Sequence, residues 1–228
     1  MLEDFVFCPM KFKKIWIDGV EKEGSGSYKM DLGTRFHDFA KDFFMLAPVI
    51  AMNRWDTLIP EEFVWEEYQW AKWFVDLERR RKRRLEAEGR ADEWVPLATE
   101  LHIRSDFLKF EGTVDRVDWW DKARNQIAII EYKTGKWWDN ASLKRQIAMY
   151  AVLVGAEIFV DKDIAAGVVI NPRLKRVEIF EINENLLKLL ARSIVKLKLA
   201  LDTEDFVRKC SPIKYALCGL CDLEEVEF

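Results

Sequence analysis

No stretch of this 228-residue sequence is apolar for long enough to span a bilayer. Its opening residues, MLEDFVFCPMKFKK, lack the apolar core of a secretory leader. A soluble, cytoplasmic protein that does not engage a membrane is therefore expected. Glycine-rich phosphate loops of the G-x-x-x-x-G-K-S/T and G-x-G-x-x-G types are missing, which argues against an ATPase or a dinucleotide enzyme. An excess of positive charge is missing too. The formal net charge is −4, so contact with nucleic acid would have to come from a local basic patch. Glutamine is scarce beside abundant Lys, Arg and Glu, a balance that leans towards thermophiles. There are only four cysteines, Cys8 at one end and Cys210, Cys218 and Cys221 in the last nineteen residues. Inside a cell such clustering favours a metal over disulfides, and Cys218 and Cys221 form a C-x-x-C pair beside Gly219.

What is present suits one large domain over residues 1–228, since half of the residues are hydrophobic. Residues 1–95 read as mainly helical, 96–183 as a core of strands and one helix, and 184–228 as a C-terminal helix and a cysteine-bearing tail that packs with Cys8. GSGS at 24–27 is a loop. The spacing of Leu32, Phe36, Phe39, Ala40, Phe43 and Phe44 predicts an amphipathic helix over 31–46. A long helix is expected over 60–89, begun by Glu61 and Glu62 and stopped near Gly89. The basic run from Arg79 to Arg84 must wrap the whole helix. It reads as a solvated face balanced by Glu78, Glu86 and Glu88, with partial phosphate contact as the alternative. An extended segment over 97–110, a hairpin, a helix over 140–154, strands at 167–170 and 176–182, and a leucine-rich helix over 184–201 follow. The order gives an α/β (α+β) domain with a mixed central sheet flanked by helices.

The hairpin within GTVDRVDWWDKARNQIAIIEYKTGK carries the chemistry. If Trp120 and Gln126 flank its turn, antiparallel register sets Asp115 opposite Glu131, with Lys133 pointing the same way. Their companions on that face, Val117, Trp119, Ile127 and Ile129, are apolar. Two carboxylates and an ammonium at the end of a core-facing surface are costly to desolvate unless they bind something. That combination points to a metal site with a cation beside it. Most of the ten tryptophans suit a core, and Trp137 and Trp138 could touch a nucleic-acid strand.

Asp115 followed by Glu131-Tyr132-Lys133 resembles the D…(E/D)-x-K signature of PD-(D/E)XK nucleases. LGTRFHDF places His37 four residues after Gly33, similar to the G-x-x-x-H motif of the RecB-like group, and KRQIAMYAVL supplies Gln146 and Tyr150 as its Q-x-x-x-Y motif. FVFCPMKFKK resembles the N-terminal cysteine motif of the iron–sulfur branch. Together the motifs run from Cys8 to Cys221 in family order, and the nearest resemblance is to the CRISPR-associated iron–sulfur exonucleases and their archaeal viral relatives.

The resemblance implies a restriction-endonuclease-like fold and a metal-dependent DNA exonuclease acting on single-stranded ends, 5′ to 3′. Rival readings are a structure-specific endonuclease on the same core and a non-catalytic iron–sulfur nucleic-acid-binding protein. His37, Asp115, Glu131 and the Tyr132 carbonyl would hold Mg²⁺ or Mn²⁺, since hard cations prefer oxygen ligands and an imidazole widens tolerance to manganese. Lys133 would orient or deprotonate the attacking water. Gln146 and Tyr150, one helical turn apart, would hold the substrate phosphate or brace Lys133. Glu100 would either support the metal ligands from behind or be an additional acidic group. A 4Fe–4S cluster on Cys8, Cys210, Cys218 and Cys221 is implied, with zinc or disulfides as alternatives. The family's last cysteine falls here on Glu227, and Cys210 lies earlier instead. Implied partners are DNA ends and spacer-integration or recombination proteins, and a homo-oligomer is compatible.

Overall fold

The structure is a computed structural model describing residues 2–20, 28–108, 110–136 and 140–207. In chain order its helices are α1 (Leu2–Phe7), α2 (Pro9–Phe12), α3 (Tyr28–Leu46) and α4 (Trp65–Ala87), then α5 (Asn140–Glu157) and α6 (Glu184–Thr203). The strands are β1 (Ala98–Ser105), β2 (Phe110–Asp121), β3 (Gln126–Tyr132), β4 (Asp163–Asn171) and β5 (Arg176–Glu181). The glycine–serine segment 24–27, Trp137, Trp138, Glu227 and the three C-terminal cysteines lie outside the described residues.

Met1–Ser27 with Glu184–Phe228 forms one compact unit and Tyr28–Asn183 another. In the first, Cys8 is buried and forms no disulfide among the described residues, and it precedes α2 with an extended backbone that lets Pro9 open the helix. Phe12 meets the ring of Phe5 edge-on at 5.8 Å and stacks on Phe206 at 6.2 Å. α6 is amphipathic, burying Leu186, Leu190, Leu197 and Ala200.

The second unit is built on a five-stranded mixed sheet in the order β1-β2-β3-β4-β5. All neighbours pair antiparallel except β3 and β4, which run parallel and are joined through α5. This is the mixed sheet with flanking helices expected for a restriction-endonuclease-like fold. One sheet face, bearing Ala128, Ile130, Tyr132, Val168 and Ile170, shares a core with Phe36, Phe39, Phe43 and Phe44 of α3, Trp70 and Phe74 of α4, and Trp55 and Trp94. Trp55 and Trp94 stack at 4.9 Å. α5 lies against the other face. Gly167 makes that approach possible, because a Cβ there would sit 2.8 Å from Ile147 and 2.6 Å from Phe180. Among the described residues no helix is long and apolar enough to cross a membrane.

Three local expectations are corrected. α4 begins at Trp65 rather than Pro60, because the Glu67 carboxylate accepts the Val64 N–H at 3.0 Å and fixes the helix start there. The extended segment 97–110 is broken after Ser105, whose hydroxyl accepts the Leu108 N–H at 3.0 Å and turns the chain into β2. The hairpin register holds from Arg116↔Ile130 to Trp119↔Ile127, then shifts so that Asp121 faces Gln126. The shift leads into a turn capped by the Asp121 carboxylate on the Arg124 N–H and closed by left-handed Asn125.

Candidate active site

Strand alternation carries Asp115 and Glu131 to the same face of adjacent strands, at the end of β3 where the chain leaves the sheet. Asp115 is 7% exposed. Its Oδ2 accepts the Tyr132 N–H at 2.6 Å, so the backbone of β3 itself orients the carboxylate. His37 reaches it from α3, with Nδ1 3.2 Å from Asp115 Oδ1 and 3.9 Å from Glu100 Oε1. The Tyr132 ring meets the imidazole edge-on at 5.7 Å. Gly33, one turn before His37, lets α3 approach the exit of β3, since a Cβ there would lie 2.9 Å from Thr134 Oγ1.

Glu131 and Lys133 anchor the second half. The Lys133 ammonium donates to Glu131 Oε1 at 2.6 Å and to Gln146 Oε1 at 3.2 Å. The Gln146 amide donates in turn to Glu131 Oε1 at 3.0 Å and to the Tyr150 hydroxyl at 3.0 Å. Gly112 on β2 lets Tyr150 settle against the sheet, because a Cβ would meet its ring at 2.9 Å. Glu131 Oε2 is buried without a hydrogen-bond partner among the described residues.

The electrostatics fit a site short of positive charge. Burial and the neighbouring Asp115 carboxylate push the Glu131 carboxyl up to about 7, against the pull of Lys133 and His37. Burial and Asp115 likewise raise Glu100. Burial works against the His37 imidazolium, but Asp115, Glu131 and Glu100 outweigh it and the pKa is raised. Burial takes the Tyr150 phenol up to about 12, so it acts as a neutral hydroxyl. His37, Glu100 and Asp115 each offer a ligand atom within 4.8 Å of the others. Two carboxylate oxygens and an imidazole nitrogen form a donor set that suits a divalent cation, and Glu131, on the same sheet face as Asp115, keeps Oε2 without a hydrogen-bond partner among the described residues.

The chemistry-bearing residues expected outside the cysteine set are thus together: His37, Glu100, Asp115, Glu131, Tyr132, Lys133, Gln146 and Tyr150. Of the cysteine set, Cys8 is described, and Cys210, Cys218 and Cys221 lie outside the described residues.

A buried charge network behind the site was not anticipated. Arg116 donates to Asp118 at 2.9 and 2.5 Å, to Glu78 at 2.9 Å and to the Tyr132 hydroxyl at 3.1 Å. Arg81 pairs with Asp118 at 2.7 Å and Glu78 at 3.2 Å. Glu78 is therefore no solvated counter-charge to the basic run, because α4 turns it into the core. The basic run does wrap the helix as expected. Arg79 pairs with Asp56, Lys82 lies over Trp94, and Arg80 and Arg84 line an open cavity of about 680 Å³. The alternation that put Asp115 on one face puts Arg116 and Asp118 on the other and carried the signal.

The sequence matches the PD-(D/E)XK nuclease superfamily over residues 1–226. The chain belongs to that superfamily. PD-(D/E)XK nucleases are hydrolytic enzymes that use divalent metals, and DNA is the substrate such a nuclease acts on. A solved Eubacterium rectale protein named "Putative exonuclease" is similar to this nuclease at 13% identity and a TM-score of 0.47, over 92% of this chain and 82% of that one. No curated protein matches. The family assignment rests on the superfamily match.

Proposed function

We propose that this nuclease is a metal-dependent DNA exonuclease that trims single-stranded ends, with His37, Asp115, Glu131 and the Tyr132 carbonyl as metal ligands and Lys133 as the catalytic cation. The observation that carries this reading is the chain of contacts Tyr150–Gln146–Lys133–Glu131 lying beside the His37–Asp115 pair. A bound divalent cation supplies Lewis-acid polarisation of the scissile phosphate and a more acidic water. Lys133, held by Glu131 and Gln146, orients or deprotonates the attacking water and offsets charge developing on the phosphoryl oxygens. Gln146 fixes the Lys133 rotamer from the side, and the neutral Tyr150 hydroxyl can donate to a phosphate oxygen. His37 directs Nδ1 at Asp115, and its nitrogen donor favours activity with Mn²⁺ as well as Mg²⁺.

The preference for single strands, the 5′-to-3′ direction and partnership with spacer-integration or recombination proteins come with the family resemblance. So does a 4Fe–4S cluster on Cys8, Cys210, Cys218 and Cys221, which visible charge-transfer absorbance and iron analysis of purified protein would test. A colourless, iron-free preparation contradicts the cluster. The activity is tested with end-labelled linear and covalently closed single-stranded DNA in Mn²⁺. Mononucleotides or short products from the linear strand and an intact circle are the expected result. Nicking of the circle contradicts an exonuclease.

A further inference from the structure

Glu100 holds a backbone conformation that a strand residue ordinarily avoids. Its φ is +46°, in the left-handed region, where a Cβ crowds the backbone. The pairs Thr99↔Arg116 and Leu101↔Val114 run on either side of it, so β1 keeps its register while the ladder skips Glu100 and the facing Asp115. Nothing in the β1–β2 pairing requires this distortion, since both flanking pairs are regular. What it accompanies is the carboxylate's place beside His37 and Asp115, where Oε1 is buried and has no hydrogen-bond partner among the described residues. Strain of this kind persists where the surroundings over-determine it, and it concentrates at ligand sites. A second observation is independent of β1. Glu131, 3% exposed and turned to the same face as Asp115, also keeps a buried oxygen with no hydrogen-bond partner among the described residues. Glu100 on β1 and Glu131 on β3 thus flank Asp115 with one carboxylate oxygen each that no described group hydrogen-bonds, although Lys133 holds the other oxygen of Glu131.

We infer that Glu100 is itself a metal ligand, a fourth side-chain donor beside His37, Asp115 and Glu131, and that the left-handed backbone of β1 is kept to deliver it. The proposal rests on the reading of this site as a metal centre. An additional anionic oxygen raises affinity for the divalent cation and shifts preference towards Mn²⁺ over Mg²⁺, because the smaller Mg²⁺ retains its waters and takes fewer protein ligands.

The consequence is an opposition between stability and binding that a structural residue would not show. Asparagine tolerates the left-handed region and carries no charge. Without metal, Glu100→Asn is expected to raise the melting temperature by about 2–4 °C, the shift that relief of modest strain gives a chain of this size. The same variant is expected to bind Mn²⁺ at least about tenfold more weakly, since it exchanges an anionic ligand for a neutral one. Glu100→Gln, which keeps the strain and loses the charge, is expected to weaken Mn²⁺ equally with a smaller rise in melting temperature. The experiment is calorimetric titration of Mn²⁺ into wild type, both Glu100 variants and Asp115→Ala, with thermal melts in EDTA and in Mn²⁺. Weaker binding together with the higher metal-free melting temperature supports the proposal. Wild-type affinity in both Glu100 variants overturns it while leaving the metal centre standing, and so does a lower melting temperature in EDTA. If wild type binds Mn²⁺ no better than Asp115→Ala, the metal reading fails and the inference falls with it.

Discussion

Glu131 combines a buried carboxylate, a lysine partner and a pKa near neutrality, which fixes a pH dependence with a definite sign. The unfolded carboxyl titrates near 4.5 and the folded one at about 7, so between those values the folded protein holds a proton that the unfolded chain has released. Stability from this group is complete below the unfolded value and is lost as pH rises through about 7. The raised values of His37 and Glu100 act in the same direction, and carboxylates held low, such as Asp56 and Glu78, lose their contribution only at more acidic pH. Metal-free protein should therefore melt lower at about pH 8 than at about pH 5.5. Glu131→Gln should flatten that slope, and saturating Mn²⁺ should reverse it by favouring the ionised carboxylate. Thermal melts across the range check all three. A melting temperature that rises with pH in EDTA would contradict the environment described for Glu131.

The elements that present these residues depend on small side chains at close approaches. Gly33→Ala places a methyl 2.9 Å from Thr134 Oγ1 and pushes α3, and His37 with it, away from the exit of β3. Misplacement on this scale costs on the order of 10²-fold in rate. Adding Thr134→Ala removes the opposing hydroxyl, and the double variant should recover most of the lost cleavage rate. Gly167→Ala is a packing test. Its methyl would meet Phe180 at 2.6 Å and Ile147 at 2.8 Å, and the overpacking should cost about 1–3 kcal/mol in denaturant unfolding. Much of this was open to a reading of the sequence. The alternation in TVDRVDW and IAIIEYK places Asp115, Glu131 and Lys133, and the four-residue spacings of Gly33–His37 and Gln146–Tyr150 set each pair on one helix face. The start of α4 was not legible in the same way, because Glu61, Glu62, Glu66 and Glu67 all suit a first helical turn. Only the tertiary position of Val64 decides which carboxylate caps. The inward turn of Glu78 was hidden by the basic run around it. A helical pattern shows which residues share a face, but a charged residue reads as solvated until its buried partner, here Arg116 from β2, is known.

At the scale of the whole molecule, the candidate metal site and the helical layer are joined through the sheet. The residue that follows each strand-borne carboxylate, Arg116 after Asp115 and Tyr132 after Glu131, faces the opposite side and enters the Glu78–Arg116–Asp118–Arg81 network. Breaking one partner of a buried ion pair leaves a charge without compensation, so Glu78→Ala should destabilise by about 3–5 kcal/mol by chemical denaturation. Glu78→Gln keeps the shape and some hydrogen bonds and should cost less. A loss below about 1 kcal/mol for Glu78→Ala would mean that solvent reaches Arg116.

The central claim is that hydrolysis occurs at the centre built by Asp115, Glu131 and Lys133. Its most direct test compares wild type with Asp115→Asn and Lys133→Met on end-labelled single-stranded DNA in Mg²⁺, Mn²⁺ and EDTA, using protein whose thermal melts show that it is folded. Cleavage by wild type that requires the metal, and a fall of at least about 10²–10³-fold in either variant, is the predicted result. Wild-type cleavage in EDTA, or full activity in folded Asp115→Asn or Lys133→Met, would contradict it.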